Sequence, residues 1–131
     1  MKLVDTSAWV EFLRRAGDPQ AKRVVAGLLE DGLAAYTCPI RFELLSGVRP
    51  EEEDDLQQAL GFSHHILFEA DDWREAASLE RLLRKRGVRI PRNDLFVATV
   101  AIRTALPLLC RDAHFNAIAK ALCKQLTVDQ I

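Results

Sequence analysis

Short apolar segments alternate with helical stretches along this chain, and that alternation predicts parallel βαβ units. Leu3 and Val4 make a short first strand, after which Ser7 is placed to cap a helix whose Trp9, Phe12 and Leu13 share one face before Gly17 ends it. A second helix is expected over Pro19 to Glu30, a buried second strand over Leu33 to Thr37, and a helix from near Pro39 to Gly47. Another helix follows from about Glu51 to Leu60, and Ile66, Leu67 and Phe68 suggest the third strand. Asp71 or Asp72 then starts a long helix that turns Trp73, Ala76, Ala77, Leu79, Leu82 and Leu83 inward and stops at Gly87. Pro91 opens a helix with apolar Leu95, Phe96, Ala98 and Ile102; Leu108 to Cys110 is a fourth strand, Ala113 to Leu122 is helical, and Leu126 to Val128 adds an edge strand. The sum is an α/β fold, a three-layer α/β/α sandwich around a mostly parallel sheet of four or five strands.

At 131 residues the chain fits one domain, residues 1–131, since domains run to about 100 to 200 residues. No apolar run approaches the roughly 20 residues of a membrane span, and Asp5 interrupts the start before a signal-peptide core can form. A cytoplasmic protein is expected. Cys38, Cys110 and Cys123 have neither metal nor redox spacing and read as small buried hydrophobes in a reducing compartment. With 18 basic and 19 acidic residues the net charge is −1, which argues against a generic electrostatic nucleic-acid binder but leaves room for a local basic patch.

Ligands of an open parallel sheet bind beyond the carboxyl ends of its strands. Asp5 follows the first strand directly, and Asp112 lies two residues past the end of the fourth. Asp94 stands in the first turns of the helix that feeds the fourth strand, and Glu43 lies in the short helix after the second. Each acid alone has an ordinary role: Asp5 and Asp112 as helix caps, Asp94 as a partner of the helix dipole, Glu43 as a solvent-facing side chain. Converging on one crevice, however, four carboxylates would raise one another's pKa unless a cation lay among them. Oxygen-only ligation without a usable His or Cys cluster suits Mg²⁺ or Mn²⁺ and not zinc. Such ions polarise phosphoryl oxygens and activate water.

The segments VDTSAWVEFLR at the start, FELLSG around Glu43, NDLFVATVAI around Asp94 and LLCRDAHFNAIA around Asp112 resemble the PIN-domain ribonucleases, specifically the VapC-type toxins of bacterial toxin–antitoxin pairs. The similarity spans almost the whole chain in the family's order. It implies that Asp5, Glu43, Asp94 and Asp112 are the catalytic acids, with Asp5, Asp94 and Asp112 as metal ligands for Mg²⁺ or Mn²⁺, and that water hydrolyses an RNA phosphodiester. It also implies a homodimer and a cognate antitoxin protein. A physical version of that contact lays an antitoxin helix in a groove between the first helices, with Trp9, Phe12 and Phe42 as candidate groove residues and ordinary core packing as the other reading of each. Ser7 stands where the family often has a hydroxyl near metal or phosphate, with Thr6 as the alternative; capping of the first helix is the other reading of Ser7. Many relatives carry a further acid where this chain has His114, which is then a surface residue, a phosphate contact or an acid toward the leaving group. Asn116 is similarly open.

Arg81 to Arg92 holds six basic residues and no acid, and Arg89 and Arg92 are its members best placed to guide an RNA backbone toward Asp94. A solvated helix end is the plainer reading. The acidic run Glu51 to Asp55 reads as solvent-exposed. Two other phosphate-handling folds fail on residues. A haloacid-dehalogenase-like phosphatase needs an aspartate where Ser7 stands, and a receiver domain needs a lysine at Thr127 or Val128. A catalytically inert metal-binding PIN module, acting only as an interaction partner, is the non-enzymatic alternative.

Overall fold

The computed structural model describes residues 1–122 and 125–131. Cys123 therefore lies outside the described residues. Five parallel strands, β1 (Lys2–Val4), β2 (Ala34–Thr37), β3 (His64–Ile66), β4 (Leu108–Cys110) and β5 (Val128–Gln130), form one sheet in the order β3-β2-β1-β4-β5. Seven helices connect them among the described residues: α1 (Thr6–Leu13), α2 (Pro19–Glu30), α3 (Cys38–Gly47), α4 (Glu53–Gly61), α5 (Ala70–Lys85), α6 (Arg92–Thr104) and α7 (His114–Ala121). No helix among the described residues is long and apolar enough to cross a membrane.

The chain winds outward from β1 to β2 and β3, then returns to the other side of β1 for β4 and β5. Right-handed crossovers place the two groups of helices on opposite faces of the sheet, and the winding reverses between β1 and β4. The crevice of an open sheet lies at that reversal. Asp5 leaves β1 there, its N–H donating to Leu109 O at 2.9 Å, and Asp112 leaves β4 beside it. The central strands are apolar throughout, because both faces are covered: Leu3, Val4, Ala34, Ala35, Leu108, Leu109 and Cys110 are all fully buried. Trp9, Phe115, Ile118, Leu95 and Ala98 fill the helix layers against them.

The edges depart from the sequence reading. β3 begins at His64, two residues earlier than the apolar triplet Ile66, Leu67 and Phe68 suggested, because this strand pairs with β2 alone and its histidines face solvent. β5 likewise sits at Val128–Gln130, later than Leu126 to Val128, and pairs only with β4. On α5 the buried stripe is Asp72, Ala76, Leu79 and Leu83, whereas Trp73 and Ala77 are exposed and Leu82 is at the border, so the inward face is narrower than its apolar residues implied. Gly17 ends the turn after α1 for a steric reason: a Cβ there would lie 1.8 Å from Glu11 O. That close turn sets Asp18 to cap α2 through Ala21 N at 2.9 Å and to pair with Arg111 at 3.2 Å.

The cysteines divide. Cys110 is fully buried and its thiol is pushed up to about 12 by that burial, so it is inert. Cys38 is only half-buried, with Sγ accepting Phe68 N–H at 3.4 Å and lying 3.5 Å from His65 Nε2. Polar contacts therefore replace the purely apolar setting expected for it.

Candidate functional site

Asp5 caps α1, and the cap uses only half of the carboxylate. Its Oδ2 accepts the Ser7 N–H at 3.0 Å and the Ser7 hydroxyl at 2.6 Å. Its Oδ1 is buried without a hydrogen-bond partner. The capping and ligating readings of Asp5 are thus compatible, one oxygen for each. The residue is 3% exposed, and burial first, then the charges of Asp94 and Glu43, pushes its pKa to about 6 against the lowering effect of Ser7. Ser7 is the second residue of α1 and not its cap. Its Oγ also accepts the Arg111 N–H at 3.0 Å, which ties the ends of β1 and β4 together.

Glu43 extends from the middle of α3 and accepts the Thr6 hydroxyl at 2.9 Å. Asp94 lies in the first turn of α6, half-buried, and is raised above the ordinary carboxylate range by burial and by the charges of Asp112 and Glu43. α6 feeds β4 directly, so its start lies at the same edge of the sheet as the ends of β1 and β4. Asp112 completes the group. All four predicted acids therefore meet at one edge.

A histidine joins them. His114, the first residue of α7, donates its backbone N–H to Asp112 Oδ1 at 2.9 Å. Its ring Nδ1 lies 2.8 Å from Asp94 Oδ2 and 3.0 Å from Asp112 Oδ1. Hydrogen bonding to Asp94 holds its pKa above the ordinary value. Ligand atoms of Asp94, Asp112 and His114 all lie within 4.8 Å of one another. A ring nitrogen thus shares the pocket for which the sequence reading named oxygen donors alone. The signal was present in the chain, two residues beyond Asp112, but the turn that carries His114 back over Asp112 is set by the start of α7. Thr6 as the holder of Glu43 was also missed as a role.

Arg89 and Arg92 stand apart from the acids. With Arg84 and Glu80 they line a surface cleft of about 270 Å³ between the end of α5 and the start of α6. Glu80 pairs with Arg84 at 2.9 Å and with Arg92 at 3.2 Å. Asn116 bonds Gln130 on β5 instead of turning to the acids. Trp9 is fully buried in the core, so it is no groove residue; Phe12 and Phe62 do line a groove among α1, α2 and α4, while Phe42 is 70% exposed.

A sequence profile of the PIN domain family matches residues 2–121. The chain belongs to that family, in its VapC branch. It is 36% identical over 124 residues to VapC ribonuclease Mb1587 of Mycobacterium bovis and, equally, to Ribonuclease VapC11 of Mycobacterium tuberculosis, with 92% of each chain covered. Solved structures share the fold. The chain superposes with a TM-score of 0.79 and 18% identity on VapBC2 from Rickettsia felis bound to a promoter DNA fragment, covering 99% of this chain and 98% of that one. FitAcB from Neisseria gonorrhoeae gives 0.78 and 20%, covering 98% and 96%.

Within this PIN domain, Ser7 acts on Asp5 and not from solvent. Ser7→Ala removes the hydroxyl that lowers the Asp5 pKa and leaves Arg111 N–H without that acceptor. The expected stability loss is about 1–2 kcal/mol. The acid limb of any activity profile should move to higher pH; an unmoved limb would show that the hydroxyl serves only the fold.

Proposed function

We propose that this VapC-family protein is a metal-dependent endoribonuclease, the toxin of a type II toxin–antitoxin pair. One observation carries the reading: four acids, Asp5 just after β1, Glu43 on α3, Asp94 on α6 and Asp112 just after β4, gather at the sheet's reversal, and the buried Oδ1 of Asp5 lacks any donor. Such an oxygen is costly unless a cation or proton meets it. The donor set fits a divalent ion, Mg²⁺ or Mn²⁺, held by Asp5, Asp94 and Asp112 with Glu43 alongside. When bound, that ion supplies Lewis acidity toward a phosphodiester and toward the attacking water.

The chain's own residues do the rest. Ser7 and Thr6 fix Asp5 and Glu43 in orientation. We assign Glu43 to take a proton from water, and we assign Arg89 and Arg92, in the separate cleft between α5 and α6, to hold the RNA backbone on its way to the acids. No nucleophilic side chain is required, so water is the attacking group and the 3′ oxygen leaves. The groove of about 370 Å³ lined by Phe12, Leu13, Leu29, Ala59 and Phe62 is the seat we assign to an apolar antitoxin helix. The exposed Phe42 and Trp73, beside Phe68 and Phe96, form the face we assign to a second copy in a homodimer.

The test is cleavage of end-labelled RNA by purified protein. Fragments with 5′-phosphate and 3′-hydroxyl ends are expected, formed with Mg²⁺ or Mn²⁺ and absent in excess EDTA. Cleavage unaffected by EDTA, or cyclic 2′,3′-phosphate ends, would contradict the mechanism. An inert PIN module would bind metal and cut nothing.

A further inference from the structure

We propose that His114 is itself a metal ligand, through Nδ1, so that the site prefers a transition-metal dication of the manganese kind to Mg²⁺. The inference rests on the cation reading of the acidic group and specifies its chemistry. Nδ1 is the ring atom that faces both Asp94 Oδ2 and Asp112 Oδ1, at 2.8 and 3.0 Å. The backbone N–H of the same residue is bound to Asp112 Oδ1, so the ring is set by the main chain at the start of α7 and not by chance rotation. Nε2 makes no hydrogen bond among the described residues and can carry the ring proton toward solvent, which frees the Nδ1 lone pair. The buried, unpartnered Oδ1 of Asp5 gives a separate indication that a cation belongs beside these atoms.

Ligand chemistry then decides which cation. Mg²⁺ takes oxygen donors almost exclusively and gives up its water reluctantly, whereas imidazole suits first-row transition metals. A carboxylate in place of His114 would add charge that any dication welcomes. The imidazole adds none and rewards only an ion that accepts nitrogen. The carboxylates of Asp5, Asp94 and Asp112 with one imidazole therefore discriminate where an all-acid pocket would not. The rival reading is that His114 forms only an ion pair with Asp94.

Electron spin echo spectroscopy of Mn²⁺ bound to the full chain separates the two. Wild type should show ¹⁴N modulation from a directly bound imidazole, and His114→Asp, which keeps a ligating side chain, should lack it. Displacement of Mn²⁺ by Mg²⁺ should show the preference for Mn²⁺ falling at least about tenfold in His114→Asp. Mn²⁺ bound by wild type without ¹⁴N modulation, or with the same preference as His114→Asp, overturns the inference and leaves the cation site standing. Mn²⁺ that binds Asp5→Asn as tightly as wild type overturns the cation site, and this inference with it.

Discussion

Asp5→Asn is expected to lower RNA cleavage by about a thousandfold or more and, in the metal-free protein, to raise the melting temperature. The activity loss follows if Asp5 is the metal ligand proposed above: about 4 kcal/mol of transition-state stabilisation corresponds to three decades of rate. The stability gain follows from the Asp5 pKa, pushed from an ordinary 3.8 to about 6 by burial and like charge. The folded chain holds this proton more tightly than the unfolded chain, so stability falls as pH rises from about 4 through about 6 and is level above that. Above pH 6 the full penalty applies, and Asn escapes it. Because Asn answers the two Ser7 donors less well than a carboxylate, the net gain at pH 7.5 should be about 1–2 kcal/mol, several degrees in melting temperature. Melts in EDTA at pH 4.5 and 7.5 check the sign. A variant less stable than wild type at pH 7.5, or a difference equal at both pH values, would remove the like-charge account. Added Mn²⁺ should reverse the order, because only wild type gains binding energy in the native state.

Sequence legibility followed burial. The central strands were readable because strands covered on both faces must be continuous apolar runs, as Leu3 and Val4 and Leu108 to Cys110 are. Asp5 and Asp112 were readable for a related reason, since the first acid after a buried strand falls at the ligand edge of the sheet. Edge strands carry no such constraint, and the histidines of β3 and the polar residues of β5 hid their positions. The site was legible as residue types and illegible as bonds. That Ser7 would grip one oxygen of Asp5 and leave the other bare depends on the first turn of α1, and the bridge by His114 depends on how α7 starts. Both are angles of approach between elements, which spacing along the chain does not encode.

Arg103→Met should destabilise the fold by about 3 kcal/mol, lowering the melting temperature by about 10 °C, while leaving cleavage below that temperature within about threefold of wild type. The reason lies in a second buried aspartate, Asp72, which is 1% exposed. Unlike Asp5 it is fully answered: Arg103 donates Nε to Oδ1 at 2.8 Å and Nη2 to Oδ2 at 3.0 Å, and Glu69 N–H donates to Oδ2 at 2.8 Å. Arg103 Nη2 also reaches Leu67 O at 2.9 Å, so one guanidinium fastens the end of α6 to the loop after β3 and the start of α5. Removing it strands a buried charge and a carbonyl together, with the loss at the lower end of the usual range because Arg103 is a third exposed. A double variant, Arg103→Met with Asp72→Leu, should recover more than half of the loss, since no uncompensated charge remains. Urea denaturation of the four proteins measures the coupling; strictly additive losses would deny it. Asp5 and Asp72 thus have similar burial and opposite consequences. Neutralising the first should stabilise the chain and stop the chemistry, whereas disarming the partner of the second should weaken the chain and spare it. A buried carboxylate left bare, in a fold that pairs its other one bidentately, is the oxygen we assign to the proposed metal.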